Sequence, residues 1–290
     1  MQLMLIADGC GQNTNSSTVL PTCVIMTVIG DISVKCSLRQ TFSYILMFFW
    51  RVFMDSYNGT PHTLTRYDED INALRTMLMN MGGVAEQHFA DALAYLLDGD
   101  AERGARALKQ DYEINRMESS IDELAIQIIA RYSPMANDLR TIMSVVKAIT
   151  DLERIGDKSE KMARIAEEIG PILRHTDFIG HLRVMGRIVG GMMHDALDAF
   201  IRLDAIAAEE IIRRDTHVNE EYNAVHRVLL KYMNENPNSA DVGLRILSCM
   251  RAIERVGDHC TNIAEYVIFQ QKGDDVRHSN ISKEKQRTQI

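Results

Sequence analysis

Three features of the 290-residue chain predict an all-α fold of two tandem three-helix bundles, six long antiparallel helices in all: proline-free stretches, scarce glycine and an internal repeat. With 17 Gly and 5 Pro, the chain has few of the breaks that sheets and loop-rich folds require. Between Pro61 and Pro134 no proline interrupts 72 residues, which suits helices of several turns each.

Apolar residues at helical spacing begin near Tyr67, and turn signals divide the remainder of the chain. These are Asp98-Gly99-Asp100, Ser133-Pro134, Gly170-Pro171, Leu203-Asp204 and Asn236-Pro237. They delimit helices over roughly 68–97, 101–132, 137–169, 177–202, 204–235 and 239–271. Short turns between long helices make sequential neighbours antiparallel.

The first three helices return in the second three. Asp91-Ala92-Leu93 recurs as Asp195-Ala196-Leu197, Asp100 as Asp204 and Asp111 as Asp215, each 104 residues later. Pro134 with Asp138 recurs as Pro237 with Asp241, and Glu153-Arg154-Ile155-Gly156-Asp157 as Glu254-Arg255-Val256-Gly257-Asp258. Five ordered matches, one a near-identical pentapeptide, mark a duplicated unit rather than coincidence among amphipathic helices. The repeats are assigned to 66–169 and 177–271, and a polar tail occupies 272–290.

Residues 1–53 differ in character, with three of the five Cys, the only Trp and five charged residues. The apolar stretch Phe42 to Trp50 is too short to span a bilayer, and no basic leader with a small-residue cleavage site precedes it. The segment reads as an extension upstream of a start at Met54, where composition becomes ordinary.

The net charge of −8 gives duplex DNA or an anionic membrane no general electrostatic reason to bind. Cysteines at 10, 23, 36, 249 and 260 form no C-x-x-C pair, which argues against a zinc module or disulfide scaffold and for a reducing cytoplasm. Phosphate-binding loops, nucleophile elbows and H-E-x-x-H are all absent, as is the Glu-x-x-His of di-iron bundles. His226 and His259 read as packing or surface histidines.

The chemistry lies in carboxylates. Along the third helix Leu139, Ile142, Met143, Val146 and Ile149 form an apolar stripe, and about 100° per residue places Glu153 and Asp157 within roughly 20° of Val146. Leu244, Leu247 and Met250 lead to Glu254 and Asp258 in the same way. Carboxylates continuing a packed stripe need compensation, from Arg154 and Arg255 or from a metal ion. On the second helix Asp111, Asn115, Glu118 and Asp122 share one side; on the fifth the equivalents are Asp215, Asn219, Tyr222 and His226. Oxygen donors of this kind suit hard or borderline cations, with Mg, Mn, Fe or Zn as candidates. The candidate metal ligands are therefore Glu153, Asp157, Glu254, Asp258, Asp111, Asn115, Asp215 and Asn219. A lone E-x-x-x-D is commonly a solvated face or an ion pair; duplication and position lift these copies above that. Gly156 and Gly257, costly inside helices, point to close approach by a neighbour.

The repeated Glu-Arg-Ile/Val-Gly-Asp, with Met79-Asn-Met-Gly-Gly83, Ser133-Pro134, Asp138-Leu-Arg140 and the paired Asp-x-x-x-Asn motifs, resembles the PhoU family of phosphate-system regulators over residues 60 to 275. The resemblance implies two three-helix bundles, metal ions at the acidic motifs, a cytoplasmic location and a homodimer. It implies a regulator without enzymatic activity that relays the state of an ABC phosphate transporter and its ATPase to a sensor histidine kinase. Such a regulator represses the phosphate-starvation response when phosphate is plentiful, without nucleic-acid binding or membrane insertion. The competing class is a metal-dependent enzyme or metal-storage bundle.

Overall fold

The computed structural model describes residues 65–236 and 239–273; the sequence readings for residues 1–53 and for the tail beyond Gly273 lie outside them. The described residues form seven helices: α1 (Thr65–Asp98), α2 (Ala101–Ala107), α3 (Asp111–Tyr132), α4 (Asn137–Leu173), α5 (Phe178–Arg202), α6 (Ala205–Glu235) and α7 (Ala240–Lys272). α1, α3 and α4 pack as one bundle and α5, α6 and α7 as the other.

The turns follow local chemistry. Gly99, at φ +75°, takes the left-handed conformation that ends α1, and Asp100 then caps α2 by accepting from the Arg103 amide at 3.1 Å. Asp204, its repeat counterpart, caps α6 by accepting from the Ile206 and Ala207 amides, each at 3.0 Å. Left-handed Ser133 and Leu203 close α3 and α5.

Two expectations need correction. The helix expected over 101–132 is broken at Leu108–Gln110 into α2 and α3, whereas α6 in the second repeat is continuous. No Gly or Pro marks the break; tertiary contacts do. Buried His88 of α1 hydrogen-bonds through Nε2 to the Ala107 carbonyl at 2.7 Å, satisfying an acceptor at the end of α2. Gly104 lies against the Tyr95 ring, where a Cβ would come within 2.5 Å. The turn expected at Gly170-Pro171 falls later, because α4 continues through Pro171 to Leu173. A proline in the last turn forfeits only one helical hydrogen bond.

The bundles join chiefly along α4 and α7, which run antiparallel. Gln270 donates to Thr141 at 3.0 Å near one end, and Glu168 pairs with Arg245 near the other. Between them buried Asp151 accepts from His259 Nδ1 at 2.7 Å, Asn262 Nδ2 at 2.9 Å and Tyr266 Oη at 2.8 Å. Around this core the Asp of each Asp-Ala-Leu motif is tied to the following helices: Asp91 accepts from Arg103 and Arg106, and Asp195 pairs with Arg214. Burial works against ionised Asp91, but the two guanidiniums prevail and hold its carboxyl below the ordinary range.

Candidate metal centre in two acidic seams

The candidate ligands fall into two seams, one between α3 and α4 and one between α6 and α7. Each seam is organised in the same way. Asn115 Nδ2 donates to Asp111 Oδ2 at 3.0 Å, and Asn219 Nδ2 donates to Asp215 Oδ2 at 2.9 Å. The i, i+4 spacing stacks each pair on its helix. Opposite them, on α4 and α7, stand the glycines of the repeated pentapeptide. A Cβ on Gly156 would meet Asp111 Oδ1 at 3.6 Å, and one on Gly257 would meet Asp215 Oδ1 at 3.1 Å. Thus the glycines let the helix carrying Asp111 or Asp215 approach the helix carrying the Glu and Asp of the pentapeptide.

The stripe inferred from sequence is in fact two faces. Ile142, Ile149 and Met250 are fully buried, whereas Leu139 and Met143 are over a third exposed and Leu244 is 58% exposed. About 60° separates Val146 from Ile149 on the helix; Ile149 lies within the core and Val146 packs, partly buried, against its edge. Glu153, Asp157 and Asp258 follow the partly exposed edge, whereas Glu254 is buried. Side-chain exposure is 19% for Glu153 and 35% for Asp157, against 7% for Glu254 and 23% for Asp258.

Electrostatically the seams are strained. Burial, followed by repulsion from Asp157, raises the Glu153 carboxyl above its ordinary range. Burial and then Asp258 do the same to Glu254, and burial and then Glu160 to Asp111. Glu118, absent from the sequence-derived ligand set, is raised by burial and by Asp122. The arginines offer only loose compensation. Arg154 lies 3.3 Å from Glu153 and 3.5 Å from Asp157; Arg255 lies 3.8 Å from Glu254 and from Asp258.

The donor chemistry fits a hard cation. Asp111 Oδ1, Asn115 Oδ1 and Glu254 Oε2 are buried oxygens to which no group among the described residues donates a hydrogen bond. Among the described residues no three His, Cys, Asp or Glu side chains are grouped as a ready cation cage. An ion would therefore have to draw the carboxylates of a seam together.

Residues that sequence spacing passes over lie beside this set. Thr150 lies near Glu118 in the first seam, and Arg251 lies over the Tyr222 ring in the second. The spacing of Glu, Arg and Asp gives no sign of these pairs, because each joins two helices. His226 stacks on Tyr222 with ring centroids 6.1 Å apart, and His259 is engaged by Asp151, so both are packing histidines. Cys249 and Cys260 are buried free thiols, the first pushed up to about 12 by desolvation, and offer no soft metal ligand at the seams.

Residues 78–166 and 182–267 match the PhoU domain, one copy on each bundle. The chain belongs to the PhoU domain family. It is 39% identical over 225 residues to the phosphate-specific transport system accessory protein PhoU of Escherichia coli (strain K12), covering 78% of this chain and 93% of that protein. The PhoU accessory protein of Edwardsiella tarda is equally similar, at 39% identity over 78% of this chain and 92% of its own length. The crystal structure of PhoU from Pseudomonas aeruginosa superposes with a TM-score of 0.69 at 38% identity, over 72% of this chain and all of that one. Among the described residues of this PhoU-family chain, no helix is long and apolar enough to cross a membrane.

Proposed function

We propose that the chain is an accessory regulator of a phosphate transport system that binds metal ions in its acidic seams. In this reading it acts in the cytoplasm, as a homodimer, between an ABC phosphate transporter with its ATPase and a sensor histidine kinase. It holds the phosphate-starvation response down when phosphate is plentiful. The observation that carries the reading is similarity to proteins named for that accessory role, extending over more than nine-tenths of their length and across both repeats. Those relatives are named for an accessory role and for no reaction, which supports a regulator over an enzyme. The buried, undonated oxygens of Asp111, Asn115 and Glu254 support metal binding at the seams. Residues that would hold the ion are Asp111, Asn115, Glu153 and Asp157 in the first seam, and Asp215, Asn219, Glu254 and Asp258 in the second. A bound cation would neutralise each seam and tie its two helices together, coupling ion occupancy to the shape of the surface offered to a partner.

Deleting the gene and assaying alkaline phosphatase in phosphate-rich medium tests the role: expression should stay high, and the intact gene should restore repression. Pull-down from membranes should recover the kinase or the transporter ATPase. If the deletion strain still represses phosphatase normally and no partner is recovered, the regulator reading fails and a metal-dependent enzyme or metal store takes its place.

A further inference from the structure

The two seams share a plan but not a charge. The first gathers five carboxylates, Asp111, Glu118, Asp122, Glu153 and Asp157, with Arg154 as the guanidinium paired to them. In the second, Tyr222 and His226 replace Glu118 and Asp122, leaving Asp215, Glu254 and Asp258. There Arg251 stands where the first repeat has Thr150, and it joins Arg255 beside Glu254. Arg251 lies over the Tyr222 ring, 5.8 Å from the centroid. Its Nε is 3.8 Å from Glu254 Oε2. That distance is too long for a hydrogen bond but short enough for the charge to be felt in a poorly solvated seam. Glu254 is only 6% exposed, and its Oε2 accepts no hydrogen bond from any group among the described residues. The second seam thus holds a buried acceptor beside a half-exposed cation that belongs to the protein.

We propose that Arg251, shelved on Tyr222, is a tethered counter-cation that weakens divalent-metal binding at the second seam, so that the protein loads an ion at the first seam in preference to the second. The inference rests on the cation-binding reading above and makes the seams unequal. A guanidinium cannot lose its proton at physiological pH, so a divalent ion approaching Glu254 must either displace Arg251 from Tyr222 or meet its repulsion. The first seam has an uncharged hydroxyl at that place and two further carboxylates to draw the ion in.

Titration of the full chain with Mn²⁺ alone, by calorimetry, tests this through swaps between the repeats. The wild type should show a tight class that is lost in E153A/D157A and unchanged in E254Q, with any second class at least tenfold weaker. Arg251→Thr should strengthen that second class tenfold or more, and the gain should vanish in R251T/E254Q. Thr150→Arg should weaken the tight class by a similar factor. Circular dichroism and the thermal midpoint establish that each variant is folded, and Arg251→Gln, which removes the charge but keeps a longer polar side chain than Thr, should reproduce R251T. Two equally tight classes in the wild type, one of them removed by E254Q, would overturn the inference and leave the cation-binding reading standing. So would an R251T titration identical to that of the wild type. Wild type and R251T both failing to bind Mn²⁺ would instead overturn the cation-binding reading itself, and this inference with it.

Discussion

Gly257 of α7 lies directly beneath the carboxylate of Asp215 on α6, so close that a methyl group added there would meet Asp215 Oδ1 at 3.1 Å. Gly156 stands in the same relation to Asp111, but there the added methyl would first meet the Ile114 Cδ1 at 3.0 Å, with Asp111 Oδ1 farther off at 3.6 Å. The same motif position therefore carries different constraints in the two repeats. An Ile methyl at the end of a side chain can turn aside, whereas the Asp215 carboxylate is held by the Asn219 amide.

Substituting these glycines should separate the two cases. Alanine in a helix interior is favoured over glycine by about 1 kcal/mol, so Gly156→Ala should be near neutral once Ile114 adjusts. Gly257→Ala should lose that gain to the clash and be net destabilising by roughly 1 kcal/mol, a fall of about 2–4 °C in a domain of this size. Thermal unfolding of both variants checks the difference. Equal midpoints would mean that the Asp215 helix yields as readily as the Ile114 side chain.

Much of this organisation is legible in the sequence because it is local or repeated. Expected bounds of 177–202, 204–235 and 239–271 lie within one residue of α5, α6 and α7, since each is framed by a capping Asp, a left-handed residue or a Gly. What escapes sequence reading depends on contacts between helices. Nothing in Leu108-Lys109-Gln110 announces a break, which belongs to His88 some twenty residues earlier. Likewise spacing reveals the candidate acids but not Thr150 and Arg251. Their roles come from Glu118 and Tyr222 on the facing helices.

Asp151 should prove the most sensitive polar residue at the junction of the bundles. Its carboxylate is the shared acceptor for His259, Asn262 and Tyr266. Asp151→Ala would leave three donors partly buried without it, at a cost of roughly 2–4 kcal/mol. A drop in midpoint of about 4–16 °C is expected. Asp151→Asn keeps one acceptor oxygen and should lose less than half as much. An unchanged midpoint in D151A would show that water replaces the carboxylate without loss.

His88 supplies a pH dependence whose sign can be worked out. Burial pushes its pKa below the ordinary value of 6.5, although the hydrogen bond to the Ala107 carbonyl opposes the shift. The folded chain therefore prefers the neutral ring, with the Nε2 proton donated to Ala107. Above 6.5 neither state takes up the proton and stability is unaffected. As pH falls below 6.5 the unfolded chain protonates first, so stability is lost by up to about 1.4 kcal/mol per pH unit until the folded ring also titrates. His88→Gln, which can still donate a hydrogen bond to Ala107, should remove that part of the slope between pH 6.5 and 5. Parallel midpoint-against-pH curves for the two proteins would place the acid sensitivity elsewhere.

Glu254→Gln should distinguish the cost of burying a charge in the second seam from the benefit of binding an ion there. In chelator-treated protein at pH 8, Glu254 is a buried carboxylate whose neighbouring cations stand 3.8 Å away. Replacing an ion so poorly compensated by a neutral isostere relieves desolvation and should raise the midpoint, by about 2–4 °C for each kcal/mol recovered. With excess Mn²⁺ the order should change in R251T, where the seam is expected to take an ion. There the protein that keeps Glu254 should gain midpoint through binding to the folded state, and R251T/E254Q should gain less. The comparison uses each protein with and without metal, so a folding defect common to both conditions cancels. If E254Q lowers the metal-free midpoint instead, the attraction of Arg251 and Arg255 outweighs the burial of Glu254, and the second seam is held by its ion pairs alone.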